Sequence, residues 1–280
     1  MGGFRLNRMM RKRWFSALVL LAIVFVAVWF DTPAYSVVVA VFATLAALEF
    51  FNMAGLPRYH PLTIFGLVWV LLFILVAHFE DNYTPLLLAS AVGLSLIWLI
   101  FSTKVKDAAV YWAWTLAGII YIGWMLSHFI PLRQLELTTG DTNLGRDWVL
   151  FVLFANIAVD TAAFFVGRAW GRHRLAVNIS AGKTWEGSIA GFLAAIAAAL
   201  AMIFILPNLS DVPYWQAAVL GALVGVFAQL GDLAESLLKR SAGLKDSGTM
   251  VPGHGGLLDR MDSLLFSVVV VYYYVIYVVT

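Results

Sequence analysis

The sequence predicts an all-α, polytopic integral membrane protein of about nine transmembrane helices, N-terminus cytoplasmic and C-terminus outside. Three observations carry this. Hydrophobic residues make up 62% of the 280 residues and charged residues only 12%, whereas soluble globular chains carry about 25% charged residues. The apolar residues fall into runs long enough to cross a bilayer core, which takes about 20 residues per helix. The basic residues gather between alternate runs. A mean hydropathy of +0.89 excludes a disordered or water-covered chain. The absence of cysteine excludes disulfides, thiolate metal sites and a cysteine nucleophile.

The nine runs are 14–30, 34–55, 61–79, 84–102, 108–130, 147–167, 187–206, 214–231 and 263–279. The first follows Arg5, Arg8, Arg11, Lys12 and Arg13, as a signal peptide would. Its 17 apolar residues exceed a usual signal core and no small-residue cleavage site follows, so it reads as a membrane helix. With the N-terminus inside, sixteen of eighteen Lys and Arg residues lie on one side, and only Arg133 and Arg146 lie on the other. The opposite loops carry Asp31, Glu80, Asp81, Asp141 and Asp211. Residues 1–146 read as a helical scaffold with a possible role in a homodimer contact. Residues 147–280 read as the catalytic region, with polar cytoplasmic segments 168–186 and 232–262. The segment 131–146, with Gly140 and Gly145, reads as a plain connector. The Gly- and Ala-rich stretch 190–201 suits close helix packing.

Chemistry concentrates in 231–263, which holds five of the chain's sixteen acids. If the eighth run continues as a helix, Asp232, Glu235, Ser236 and Lys239 share one face at i, i+3, i+4 and i+7. Asp259 and Asp262, three apart, are expected to face one way at the start of the last run. Asp246 lies in the intervening segment. Carboxylates converging beside Lys239, Arg240, Lys245 and Arg260 suit a divalent cation and a phosphate chain, because Mg2+ binds through one or two carboxylates plus substrate phosphates. Gly255 and Gly256, with Gly253, allow backbone amides to approach a phosphate. His254 sits among these glycines. Helix capping accounts for one acid at a helix start, but not for a cluster of acids, bases and glycines.

In the other polar segment, Gly182-Lys183-Thr184 invites a phosphate-loop reading, but that pattern needs glycine at position 177, where Val177 stands. Lys183 and Thr184 at a helix start remain candidates for phosphate binding. Two acids lie within apolar runs, where an ionisable group marks function by default. Asp160 is expected to line a polar cavity. Glu49 reads as reaching the interface or pairing with Arg58.

The stretch Ser236-x-Leu238-Lys239-Arg240-x4-Lys245-Asp246-x-Gly248-x3-Pro252-x-His254-Gly255-Gly256-Leu257-x-Asp259-Arg260-Met261-Asp262 resembles the signature of phosphatidate cytidylyltransferases, the CDP-diacylglycerol synthases. Residues 180–187 resemble that family's Ser-Pro-x-Lys-Thr-x-Glu-Gly segment, with Ala181 in place of proline. Residues 160–168 resemble its Asp-Thr-x-Ala-Tyr-Phe-x-Gly-Arg segment, with Phe164 in place of tyrosine. The similarity spans about 156–263. It implies the reaction CTP + phosphatidate → CDP-diacylglycerol + pyrophosphate, Mg2+ as cofactor, CTP and membrane lipid as partners, and no nucleic acid. A bacterial inner membrane with a cytoplasm-facing site is the expected setting.

On this reading Asp232, Asp246 and Asp259 lead as metal ligands, followed by Asp262, and hold one or two cations. Lys239, Arg240, Lys245, Arg260 and Lys183 neutralise phosphates. His254 orients a phosphate or protonates pyrophosphate, and Asp160 holds the cavity or the headgroup. Ser236, Thr184, Gly255 and Gly256 complete the expected substrate contacts. The alternatives are a CTP-dependent enzyme acting on an isoprenoid alcohol or phosphate and, from another class, a transporter. Transporters pair their halves around broken helices near the midplane, and no such pairing is visible here.

Overall fold

In hydrocarbon each backbone N–H and C=O must be satisfied within its own segment, so long apolar runs become helices. The computed structural model of the chain describes residues 19, 22–79, 82–102, 107–139, 143–251 and 255–279. Among the described residues eight helical stretches are long and apolar enough to cross a membrane, and they coincide with the last eight runs of the sequence. The run 14–30 lies largely outside the described residues; its described part, α1, is helical over 22–28. The chain divides into two units, Met1–Ile130 with Leu244–Arg260, and Pro131–Gly243 with Met261–Thr280.

The first unit contains α2 (Thr32–Met53), α3 (Pro61–His78), α4 (Thr84–Ser102) and α5 (Ala108–Gly118). Proline opens α2 and α3 within their first turns, where its missing N–H costs nothing. α2 stops in a Schellman turn. Gly55 adopts φ 73°, its N–H donates to Asn52 O at 3.1 Å, and that of Leu56 donates to Phe51 O at 3.0 Å. The fully buried Phe51 ring occupies the space that side chains at Gly66 and Gly118 would need. Indole donors tie the next helices: Trp69 Nε1 to Leu87 O at 3.2 Å, and Trp112 Nε1 to Ser95 Oγ at 2.9 Å. A π-turn, Ile119–Trp124, prolongs α5.

α6 (Phe129–Thr139) leads into the second unit, which contains α7 (Leu144–Trp170), strands β1 (Arg174–Ala176) and β2 (Ser180–Thr184), α8 (Trp185–Ile205), α9 (Tyr214–Ser241) and α10 (Asp262–Tyr274). α8 packs on α7 and α9, and α10 packs on α9. Small residues permit the close approach. A Cβ at Gly221 would lie 2.7 Å from Ala199 Cβ and 2.8 Å from Ile196 Cα, and one at Gly191 would lie 3.0 Å from Val159 O. Gln229 crosslinks α9 to α8 by donating to Ser188 O at 3.1 Å and accepting from Ser188 Oγ. Large apolar side chains such as Ile189, Leu193 and Phe204 point outward, as a lipid solvent allows.

Three features depart from the sequence reading. The fold is not purely helical, because β1 and β2 form a short antiparallel hairpin pairing Arg174 with Thr184 and Ala176 with Ser180. Strands of three and five residues are too short to show a periodic pattern. Segment 131–146 is no plain connector. It carries most of α6, with Leu132, Arg133, Gln134 and Leu135 buried, and Gly145 brings the start of α7 against the Arg133 carbonyl. α9 runs ten residues past the apolar run, to Ser241.

Filling the close contact at Gly221 should cost about 1–3 kcal/mol, the usual penalty for overpacking. Gly221→Ala should therefore lower the thermal midpoint of the detergent-purified protein by several degrees. Gly93→Ala, where nothing lies within 4 Å of the added carbon, should leave it unchanged or raise it. Equal midpoints for the two variants would contradict the packing described.

Candidate active site

The extension of α9 makes one acidic and basic face. Glu235 is fully buried, and Ser236 and Lys239 nearly so. Lys239 Nζ pairs with the Glu235 carboxylate one turn back, and Ser236 Oγ lies 3.4 Å from Asp232 Oδ1. The hairpin adds a second cation to this face. Lys183 Nζ, on β2, lies 2.8 Å from Asp232 Oδ2, with both side chains partly exposed. β2 delivers Lys183 because the next residue, Thr184, caps α8: its hydroxyl accepts from Gly187 N at 3.2 Å. Thr184 is buried and is therefore a helix cap in this structure. Arg240 Nε donates to Ile179 O at 3.2 Å and ties the end of α9 to the hairpin turn.

Asp262 opens α10 and is 8% exposed. Its Oδ1 accepts from Ser263 N at 2.7 Å and Ser263 Oγ at 3.3 Å. The carboxylates of Asp232, Glu235 and Asp160 all act on it electrostatically. Below it, Ser267 Oγ donates to Ser263 O at 2.8 Å and to Asn156 Oδ1 at 2.9 Å, continuing a polar track from α10 to α7. The approach of α10 to α9 depends on Gly231, whose added carbon would lie 2.5 Å from Asp262 O. The second unit thus brings Asp160, Lys183, Asp232, Ser236, Lys239 and Asp262 together and adds Glu235, which the sequence placed on the same face without a role. The carboxylates of Asp160, Asp232, Glu235 and Asp262 share this neighbourhood with the ammonium groups of Lys183 and Lys239.

The first unit holds the segment 244–260. Asp259 lies in a 3-10 turn, Leu258–Arg260, just before α10. Its Oδ2 accepts from Gly256 N at 2.8 Å and Ser247 N at 3.1 Å. Gly255 has φ 89°, and a Cβ there would lie 2.8 Å from Asp259 Oδ2, so glycine is required on both counts. Gly255 O also accepts from Val251 N at 3.0 Å. Asp246, Lys245 and Arg260 are exposed. His254 lies outside the described residues. Glu49 turns to this segment and not to Arg58. It is buried, and its Oε2 accepts from Leu258 N at 2.9 Å and Ser247 Oγ at 3.4 Å. The sequence signal for this role was an acid near the end of an apolar helix, which says that a partner exists but not which one.

Among the described residues no three acidic or imidazole groups already form a metal cage. What the second unit offers is a partly built set of carboxylates and ammonium groups that anionic phosphates and a cation would complete. The class so defined is an integral membrane protein with a polar site for phosphate chemistry on the ends of its helices. The chain belongs to the cytidylyltransferase family, whose model matches residues 11–278. It is similar to a phosphatidate cytidylyltransferase of Haemophilus influenzae, 34% identical over 93% of this chain and 96% of the relative. A phosphatidate cytidylyltransferase of Synechocystis is 32% identical over 95% and 96%, and one of Bacillus subtilis is 32% identical over 85% and 87%.

Asp259→Asn keeps the size of the side chain but places an amide where two backbone N–H groups need an acceptor. Turnover should fall by about a hundredfold or more, while the variant still inserts and elutes like wild type in gel filtration. Retention of a third of wild-type activity would remove Asp259 from the site.

Proposed function

We propose that this protein transfers the cytidylyl group of CTP to phosphatidate, giving CDP-diacylglycerol and pyrophosphate. The observation that carries the reading is the Lys183–Asp232 pair beside buried Asp262, in a chain of the cytidylyltransferase family. An oxygen of the lipid phosphate attacks the α-phosphorus of CTP. A new P–O bond forms there, the bond from the α-phosphorus to the α,β-bridging oxygen breaks, and pyrophosphate leaves with that electron pair. The nucleophile is already anionic, so no strong general base is required. Catalysis is positioning and charge neutralisation.

Carboxylates beside lysines suit a divalent cation together with substrate phosphates, and we propose Mg2+. Asp232 and Asp262 are the candidate ligands of the second unit, and Asp246 and Asp259 are those of segment 244–260 in the first. When bound, the ion would neutralise phosphate charge and orient the oxygens it touches. Lys183 is held in readiness by Asp232 and turns to a phosphate when one enters. Lys239, held by Glu235, adds positive potential from the α9 face, and Arg240 fixes the hairpin turn that carries Lys183. Lys245 and Arg260, both exposed, neutralise incoming anions, and His254 orients a phosphate. Ser236 keeps Asp232 aimed.

The same reading carries the finer topology: nine spans, N-terminus cytoplasmic, C-terminus outside. Basic residues flank the polar segments, in accord with the inside rule. The setting is a bacterial inner membrane, with the site facing the nucleotide-containing side and a homodimer as the assembly.

The test is a product assay on detergent-purified protein with labelled CTP, Mg2+ and either phosphatidate or a polyprenyl phosphate. Labelled lipid is expected only with phosphatidate. Label only with the isoprenoid would replace the acceptor, and no labelled lipid from either would overturn the reading. Lys183→Ala should raise the KM for CTP or phosphatidate by about tenfold, the loss of one charge-assisted phosphate contact. Unchanged kinetics would leave Lys183 as the partner of Asp232 alone.

A further inference from the structure

Glu49 lies in the N-terminal half, in α2, far in sequence from every motif described. It is 5% exposed, close to the end of a membrane helix. One carboxylate oxygen, Oε2, accepts from Leu258 N at 2.9 Å and Ser247 Oγ at 3.4 Å. The other, Oε1, has no hydrogen-bond partner among the described residues. A buried carboxylate with an unsatisfied oxygen costs stability, so a stable helix end does not explain why an acid stands here.

The glycines around it do. Of the described glycines in 244–260, only Gly255 has a positive φ. Gly248 and Gly256 therefore need no backbone freedom that another residue lacks. What they need is space, which Glu49 fills beside Gly248 and which the Ser247 hydroxyl and Glu49 fill together beside Gly256. The three atoms nearest to a Cβ at Gly248 would all belong to Glu49, with Oε1 at 2.5 Å and Cδ at 2.8 Å. A Cβ at Gly256 would lie 2.6 Å from Glu49 Oε2. The two glycines are the socket and the carboxylate is the plug. The plug holds Ser247 and Leu258, each adjacent to a residue of the proposed site: Asp246 precedes Ser247 and Asp259 follows Leu258. Ser247 N in turn donates to Asp259. One carboxylate thus fixes both ends of the loop that presents Asp246 and Asp259.

We propose that Glu49 is a positioning residue that sets the placement of residues 246–248 and 256–259 through this two-glycine socket. It acts on turnover by way of Asp246 and Asp259, without touching substrate. The inference rests on the reading of that segment as part of the cytidylyl-transfer machinery.

The test is a double-mutant cycle on purified full-length protein, with kinetics and amide hydrogen exchange measured on the same samples. Glu49→Leu should lower kcat by about tenfold or more with the KM for CTP within about threefold, and Glu49→Gln, which keeps an acceptor for Leu258 N–H, should restore most of the loss. Gly248→Ala should cost about tenfold in kcat against Glu49 but less than about twofold when added to Glu49→Ala, because the atoms it would strike are gone. Exchange of the Leu258 amide should accelerate about tenfold in Glu49→Leu. Wild-type kcat in Glu49→Leu, an equal cost of Gly248→Ala in both backgrounds, or unchanged exchange would each overturn the proposal. If wild type makes no CDP-diacylglycerol, the functional reading falls. The exchange data, with the melting temperatures of the same variants, then decide the socket on their own.

Discussion

Charge buried against hydrocarbon must be answered by charge or hydrogen bonds, and the second unit is arranged around that demand. Glu235 is fully buried and Asp262 nearly so. Each would be costly alone at the end of a membrane helix. Lys239 answers Glu235 from one turn away on α9. The amide and hydroxyl of Ser263 answer Asp262. Lys183 answers Asp232 from the hairpin, which makes β1 and β2 more than a connector: they bring a lysine to the α9 face before the chain enters α8.

A second constraint is distance. The polar groups can meet only if the helix backbones come close, and in lipid that closeness rests on small residues. Gly191, Gly221 and Gly231 each stand where a methyl group would collide with the neighbouring helix. The same logic operates in the first unit, where Gly66 and Gly118 make room for Phe51 and two glycines make room for Glu49. Glycine serves here mainly as missing volume. Among the described residues only Gly55, Gly243 and Gly255 use positive φ.

Much of this was legible in the sequence because its physics is local. Apolar run length determines helices, so eight runs reappear as helices, α9 alone extending as far as ten residues beyond its run. The i, i+3, i+4, i+7 spacing in 232–239 is helix geometry read directly, and it needed only the continuation of α9. What was not legible depends on tertiary neighbours. Thr184 shows a hydroxyl beside a lysine in sequence, and whether it binds phosphate or caps α8 depends on where Gly187 N points. Asp259 and Asp262 are three apart, but Asp259 sits in a 3-10 turn and Asp262 opens α10, so one continuous helix does not carry both. Glu49 looked like an interfacial acid because its partners are some two hundred residues away. α6 was hidden because Arg133 and Gln134 are polar, yet both are buried among the residues around them.

The length of α9 has one more consequence. Its 28 residues rise about 42 Å at 1.5 Å per residue, against a hydrocarbon core of about 30 Å. The reactive face is carried on the overhang of a rigid rod, so its depth and its compass bearing are set by counting residues. One residue inserted between Gly231 and Asp232 would lift the face by about 1.5 Å and swing it by about 100°, turning Asp232 away from Lys183 while the preceding contacts of α9, such as Gln229 with Ser188, stayed in place. In this region the spacing between residues is itself a functional quantity, and an insertion that hydropathy would tolerate would still disassemble the site.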